Sequence, residues 1–137
     1  MFGTSDLVLI DYKVERMHFD LNRSFVCEND TIELNPIFTR KLTKVDESSF
    51  MIQLGVKIDN VGNLLPFGCE IVLSGRFSLH EWQEINKNIY VLNNTCAILF
   101  PYLRNVLFTV TMNANVPPYV LPVMNVVHLF KDEDTSK

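Results

Sequence analysis

The residues equipped for chemistry are few and stand apart. His18, His80 and His128 are widely separated, and none forms a helical pair with a glutamate of the kind that holds a hydrolytic zinc. Cys27, Cys69 and Cys96 show no paired metal spacing, and their odd number suits reduced, buried thiols rather than a disulfide framework. Glu28, Asn29, Asp30 and Glu33 crowd one loop with oxygen donors, but at intervals that match no calcium loop, so they read as a solvated turn. The five glycines are scattered singly, which leaves no phosphate-cradling loop and no sign of ATP use. No serine sits in a nucleophile elbow, and no cysteine has a histidine beside it in sequence. The chain therefore reads as a non-enzyme, with no catalytic residues, no metal site and no cofactor expected.

What remains is apolar chemistry. Ile98-Leu-Phe-Pro-Tyr-Leu-Arg104 is followed by Val116-Pro-Pro-Tyr-Val-Leu-Pro-Val-Met-Asn125 and then by Leu129-Phe130. An aromatic helical segment thus feeds an apolar crossover whose prolines keep it out of regular sheet. Such a ribbon must lie against apolar surface or present one. The whole chain carries the same bias, with 47% hydrophobic and 20% charged residues and ten Phe among 137 positions. One domain spanning 1–137 has little interior to hide that load, so part of it is expected at a subunit interface or a binding groove. A net charge of −4, with no basic cluster beyond Arg40-Lys-Leu-Thr-Lys44, argues against nucleic acid as a partner. Neither a charged-then-apolar leader nor an apolar run near bilayer length is apparent, so a cytoplasmic protein without membrane insertion is expected.

The elements that must carry these residues follow from periodicity. Val8, Ile10, Tyr12 and Val14 hold even positions, whereas Met17, Phe19 and Leu21 hold odd ones, so the first strand should bulge or change packing partner near Glu15-Arg16. Ile37–Val45 reads as a second strand. Phe50, Ile52, Leu54, Val56 and Ile58 alternate with polar or small positions and predict a third. Asp59–Asn63 has turn chemistry, and Phe67, Cys69, Ile71, Leu73 and Phe77 predict a fourth strand. Consecutive strands with short connections make an antiparallel sheet. Ser78-Leu-His-Glu81 reads as a capping box for a short helix to about Asn86, and Asn93-Asn-Thr95 as caps for a second helix running toward Asn113. Within that second helix, Val106–Thr111 favours strand by composition, while Leu99, Tyr102, Leu103, Val106, Leu107 and Val110 have helical spacing. Pro117-Pro118 forces an extended exit, Asn125–Asp132 offers a last helical turn, and 131–137 reads as a disordered polar tail. The fold class is α+β, a four-stranded antiparallel sheet with helices packed on one face.

Several of these stretches, in this order, resemble the SecB family of export chaperones. The family carries an Ile-Leu-Phe-Pro-Tyr-Ala-Arg-like segment, a proline-containing crossover, an Asn and a closing Leu-Phe. Gly68-Cys-Glu-Ile71 and Ser74-Gly-Arg-Phe77 resemble its last-strand Leu-Cys-Glu-Val and Gly-Gly-Ile-Phe, and Met17-His-Phe-Asp20 its first-strand Ile-Ser-Phe-Glu. The resemblance also tips residues 106–111 toward helix. It implies an ATP-independent holdase, a tetramer built as a dimer of dimers, and unfolded polypeptides held in apolar grooves. The groove candidates are Phe77, Phe100, Tyr119, Leu121, Val123 and Met124, each buried side chain contributing roughly 1.5–3 kcal/mol before ordering costs. It implies further that the export motor SecA docks on acids of the sheet's solvent face, for which Asp20 and Glu70 are the candidates. Two departures bear on that role: Arg16 stands where the family usually has another acid, and Gly68 replaces a docking leucine. The alternatives within this resemblance are a general export chaperone and a dedicated chaperone of one client such as an antitoxin. From a different class, a non-catalytic ligand carrier or structural oligomer would use the same fold.

Overall fold

The computed structural model describes residues 7–25, 34–60, 62, 65–79 and 89–115. Four strands, β1 (Val8–Leu21), β2 (Ile37–Asp46), β3 (Ser49–Ile58) and β4 (Phe67–Ser78), are followed by one long helix, α1 (Ile89–Asn113). The sheet is antiparallel throughout, in the order β1-β4-β3-β2. All four predicted strands are present. The central pair is the most apolar: Phe50, Ile52, Leu54 and Val56 of β3 and Cys69, Ile71, Leu73 and Phe77 of β4 bury their side chains. Phe50 and Phe77 stack with ring centres 5.6 Å apart.

Partners across an antiparallel ladder share a face, so register assigns every strand residue to a side. Met17↔Ile71, Phe19↔Cys69 and Leu21↔Phe67 put the odd residues at the end of β1 on the core face. The expected bulge lies between Val14 and Arg16 and returns Val14 and Tyr12 to that same face. A second irregularity between Leu9 and Asp11, absent from the sequence reading, shifts parity again. It pairs Leu9 with Phe77 on the core face and turns Val8, opposite Ser78, to the solvent side. The simple even-numbered apolar row of the sequence is thus split by a local kink.

The helix begins earlier than its polar residues suggested. Asn93, Asn94 and Thr95 lie inside α1 and do not cap it. Two of the three cap-forming groups are engaged elsewhere: Asn93 Oδ1 accepts from the Arg40 guanidinium of β2 at 2.7 Å, and Thr95 Oγ1 donates to the Leu92 carbonyl at 2.7 Å. The same device lets threonines of strand propensity remain helical at the far end. Thr109 Oγ1 donates to the Asn105 carbonyl, and buried Thr111 Oγ1 reaches the carbonyls of Leu107 and Phe108. Pro101, in mid-helix, sits on the exposed side. Leu92, Cys96, Leu99, Leu103 and Leu107 form the buried row, which packs on β3 and β4. Leu92–Asn113 is also long and apolar enough by composition to cross a membrane, contrary to the expectation of no such run. Here those side chains are spent on the sheet, with Leu99, Leu103 and Leu107 fully enclosed. The predicted helices over 79–86 and 125–132, the crossover and the tail lie outside the described residues, apart from Ser78, which closes β4, and Leu79.

Gly75 decides how closely helix and sheet approach. It lies on the core face opposite Tyr12, and a Cβ there would stand 2.6 Å and 2.9 Å from the two methyl carbons of Leu99. The glycine is a notch that the leucine fills. We predict that Gly75→Ala destabilises the protein by about 1–3 kcal/mol through overpacking, measured as a lower midpoint in urea or thermal unfolding. An unchanged midpoint would mean that α1 is free to ride away from β4.

Candidate functional site

Two surfaces stand out, one on each side of the sheet. On the solvent side, register aligns Arg16 with Val72, His18 with Glu70 and Asp20 with Gly68, and sets Lys57 of β3 beside Glu70. Asp20 and Glu70 therefore share the outer face, as parity along their strands predicted. The bulge that aims this end of β1 also presents Arg16, whose Nη1 donates to Glu70 Oε1 at 3.1 Å. His18 Nε2 lies 2.7 Å from Asp20 Oδ2. With Arg16 and Glu70 side chains 65% and 30% exposed, the ion pair is a solvent-screened contact, worth about 1 kcal/mol or less. Its consequence is for charge pattern rather than stability: the Glu70 carboxylate has a guanidinium on one side and an ammonium strand-neighbour on the other.

Around these groups the face sinks into a shallow depression of about 500 Å³, bordered also by Asp59 and Asn60. Gly68 opens it by having no side chain, and a Cβ at that position would meet Asn60 and the Ile58 carbonyl at 3.5 Å, ordinary contact. The depression's end wall is tied by amides: Asn22 Nδ2 donates to the Leu65 carbonyl, and the Leu65 N–H donates to Asn60 Oδ1. Cys69 borders it from beneath, and burial, reinforced by the neighbouring Glu70 charge, pushes its thiol up to about 11. At neutral pH Cys69 is a packed thiol, not a nucleophile. Among the described residues no cluster of His, Cys, Asp and Glu is arranged to hold a metal ion.

The second surface is apolar and lies on the helix side. Tyr12, Val14, Met17 and Leu21 face the same way as the core, yet each stays largely exposed, Met17 by 59% and Leu21 by 49%. α1 runs over β3 and β4 and reaches β1 chiefly where Tyr102 meets Tyr12, ring centres 4.4 Å apart. Ile98 and Tyr102 extend the exposed apolar strip onto the helix. Sequence reasoning found the apolar residues but missed this exposure, because periodicity reports a face and not whether anything covers it.

Of the expected groove residues, Phe77 and Phe100 prove to be core, 0% and 5% exposed. Phe77 is sealed by its stack on Phe50, and Phe100 packs on Phe38 of β2 at 5.9 Å, so neither offers surface to a client. Tyr119, Leu121, Val123 and Met124 lie outside the described residues.

The family model for "Preprotein translocase subunit SecB" matches residues 22–137 and so begins just after β1, leaving Arg16 and Asp20 ahead of the match and Glu70 within it. The protein-export protein SecB of Anaplasma phagocytophilum is 33% identical over 88 residues, 61% of this chain and 56% of that protein. The one from Rhodopseudomonas palustris is 28% identical over 87 residues, 62% of this chain and 52% of that protein. A protein of Methanocaldococcus jannaschii with no assigned character is 46% identical over 50 residues, 32% of each chain. The matched stretches thus span about half the length of the two SecB relatives and a third of the other. In structure, the chain resembles a Mycobacterium tuberculosis SecB-like chaperone solved in complex with a ChAD peptide from the HigA1 antitoxin. The TM-score is 0.70 at 16% identity, covering 88% of this chain and 92% of that one. A family match over residues 22–137, on a fold shared with a SecB-like chaperone, makes this chain a member of the SecB family.

Proposed function

We propose that the chain is a non-catalytic, ATP-independent holdase, acting in the cytoplasm as a tetramer that keeps client polypeptides unfolded. The observation that carries this reading is the apolar strip of Tyr12, Val14, Met17 and Leu21, aimed at the core side and uncovered by α1. Part of such a strip suits a subunit interface, and surface continuous with it suits a client groove. A groove of this kind works without ATP. It binds only chains that expose apolar side chains, so occupancy draws the client's folding equilibrium toward the unfolded state. Tyr119, Leu121, Val123 and Met124 are the proposed lining residues.

One observation favours the dedicated-client form of this reading over delivery of preproteins to SecA. The Arg16–Glu70 ion pair neutralises one of the two acids proposed for SecA docking. A chaperone serving one client, as an antitoxin peptide is bound by the M. tuberculosis neighbour, has no need of an acidic docking face.

Three measurements test these statements. Light scattering at micromolar concentration should give a tetramer, and Met17→Asp, which places a carboxylate in the strip, should shift it toward smaller species. A stable wild-type monomer would overturn the oligomer. The wild-type protein should suppress aggregation of a chemically unfolded protein without ATP, and Tyr119→Ser with Leu121→Ser should weaken this while leaving the melting temperature nearly unchanged. If that pair unfolds the protein, those side chains are core. For SecA, Arg16→Asp frees Glu70, adds a carboxylate and should strengthen association by about 1–3 kcal/mol, whereas Glu70→Lys should slow association, most at low salt. No SecA binding by wild type or either variant in calorimetry, with client binding intact, would leave the dedicated-client reading.

A further inference from the structure

We propose that Tyr12 and Tyr102 form an oxidative modification site, at which one-electron oxidation joins β1 to α1 through a dityrosine bond. This site does not depend on the holdase reading. The two rings come from elements far apart in sequence and meet with centres 4.4 Å apart and planes tilted by 32°. Both are open to solvent, Tyr12 at 40% and Tyr102 at 37% exposed. Their backbones are nevertheless held by the core. Leu99 and Leu103, on either side of Tyr102 in α1, are fully enclosed. Tyr12 lies in the β1–β4 ladder opposite Gly75, which has no side chain to interpose. The thiols that compete for oxidant are shielded, since Cys69 and Cys96 are both buried. Burial, with the Glu70 charge added, also pushes Cys69 up to about 11, away from its reactive thiolate.

The oxidant class is a haem peroxidase turning over hydrogen peroxide. Each phenol gives up one electron and one proton and becomes a phenoxyl radical. The two radicals couple through ring carbons ortho to their oxygens, forming one carbon–carbon bond. The hydrogen on each coupled carbon then moves to the oxygen of its ring, which restores both phenols. The two electrons and two protons released reduce one hydrogen peroxide to two waters, so the chain loses two hydrogens. Proximity decides the partner: a radical already in contact with the second ring couples within the chain before it meets another copy. The bond ties α1 to β1 beside the exposed apolar strip. It also closes the long loop between residues 12 and 102, which restricts the unfolded chain as a disulfide does.

The test treats the full-length chain at micromolar concentration with a haem peroxidase and hydrogen peroxide. Blue dityrosine fluorescence should appear, and a proteolytic digest should contain the Tyr12 and Tyr102 peptides joined, lighter by two hydrogens than their sum. Met17 and Met112 are exposed and take up oxygen from peroxide, so the joined peptides are read rather than the mass of the whole chain. Tyr12→Phe and Tyr102→Phe keep the ring but not the phenol, and each should lower the intrachain product roughly tenfold or more. The joined wild-type chain should melt roughly 5 °C or more above Tyr12→Phe treated in the same way. Product that persists undiminished in either variant would come from Tyr90 or Tyr119 and would overturn the site. Joining found only between copies, or a joined chain that melts below the treated variant, would overturn it as well.

Discussion

A single helix is too narrow to roof a sheet of this width. Strands lie about 4.8 Å apart and a helix with its side chains is about 10 Å across, so one helix shelters roughly two strands. α1 sits over β3 and β4, and its buried row from Leu92 to Leu107 completes their core. The exposure on the helix side follows. Tyr12, Val14, Met17 and Leu21 of β1 stay exposed, Phe38, Arg40 and Leu42 of β2 are half-covered, and apolar area is left on the helix side.

What holds the helix over that central pair is a set of contacts from both flanks and from below. Gly75 admits Leu99, Arg40 reaches across from β2 to Asn93, and the Tyr12 ring packs tilted against Tyr102 from β1. The polar residues involved would be weak helix formers in isolation. They are accommodated because their side chains bond to β2 or to the helix's own carbonyls, which leaves none of them as a buried orphan. Stability and exposure are thus set by one arrangement: the more firmly α1 is seated on β3 and β4, the less it can shelter β1.

The solvent face obeys a separate logic. Glu70 is offset by Arg16 across the strands and by Lys57 in register on β3, and the Asp20 carboxylate is in hydrogen-bond contact with the His18 ring. Such a face is soluble and weakly polarised, which limits long-range steering of a charged partner. Family membership fixes the fold and leaves the partner to be set by these few substitutable side chains.

Much of the architecture was legible in the chain. Strict alternation in Phe50–Ile58 and Phe67–Phe77 identified the central strands, because a residue buried on one face of a sheet must recur every second position. The parity change around Glu15 located a bulge, and outward parity put Asp20 and Glu70 on one face. The second kink after Leu9, the early start of α1 and the packing partner of Phe100 were not legible. Each depends on a partner distant in sequence: β4's register for the kink, Arg40 for Asn93, Phe38 for Phe100. The same division holds for function. Residue types and order pointed to an apolar-surface protein of the SecB kind, since composition and local motifs are properties of the chain. Which apolar residues remain on the surface was decided by where α1 lies on the sheet, and whether Glu70 stands alone or beside Arg16 by the register of β1 on β4.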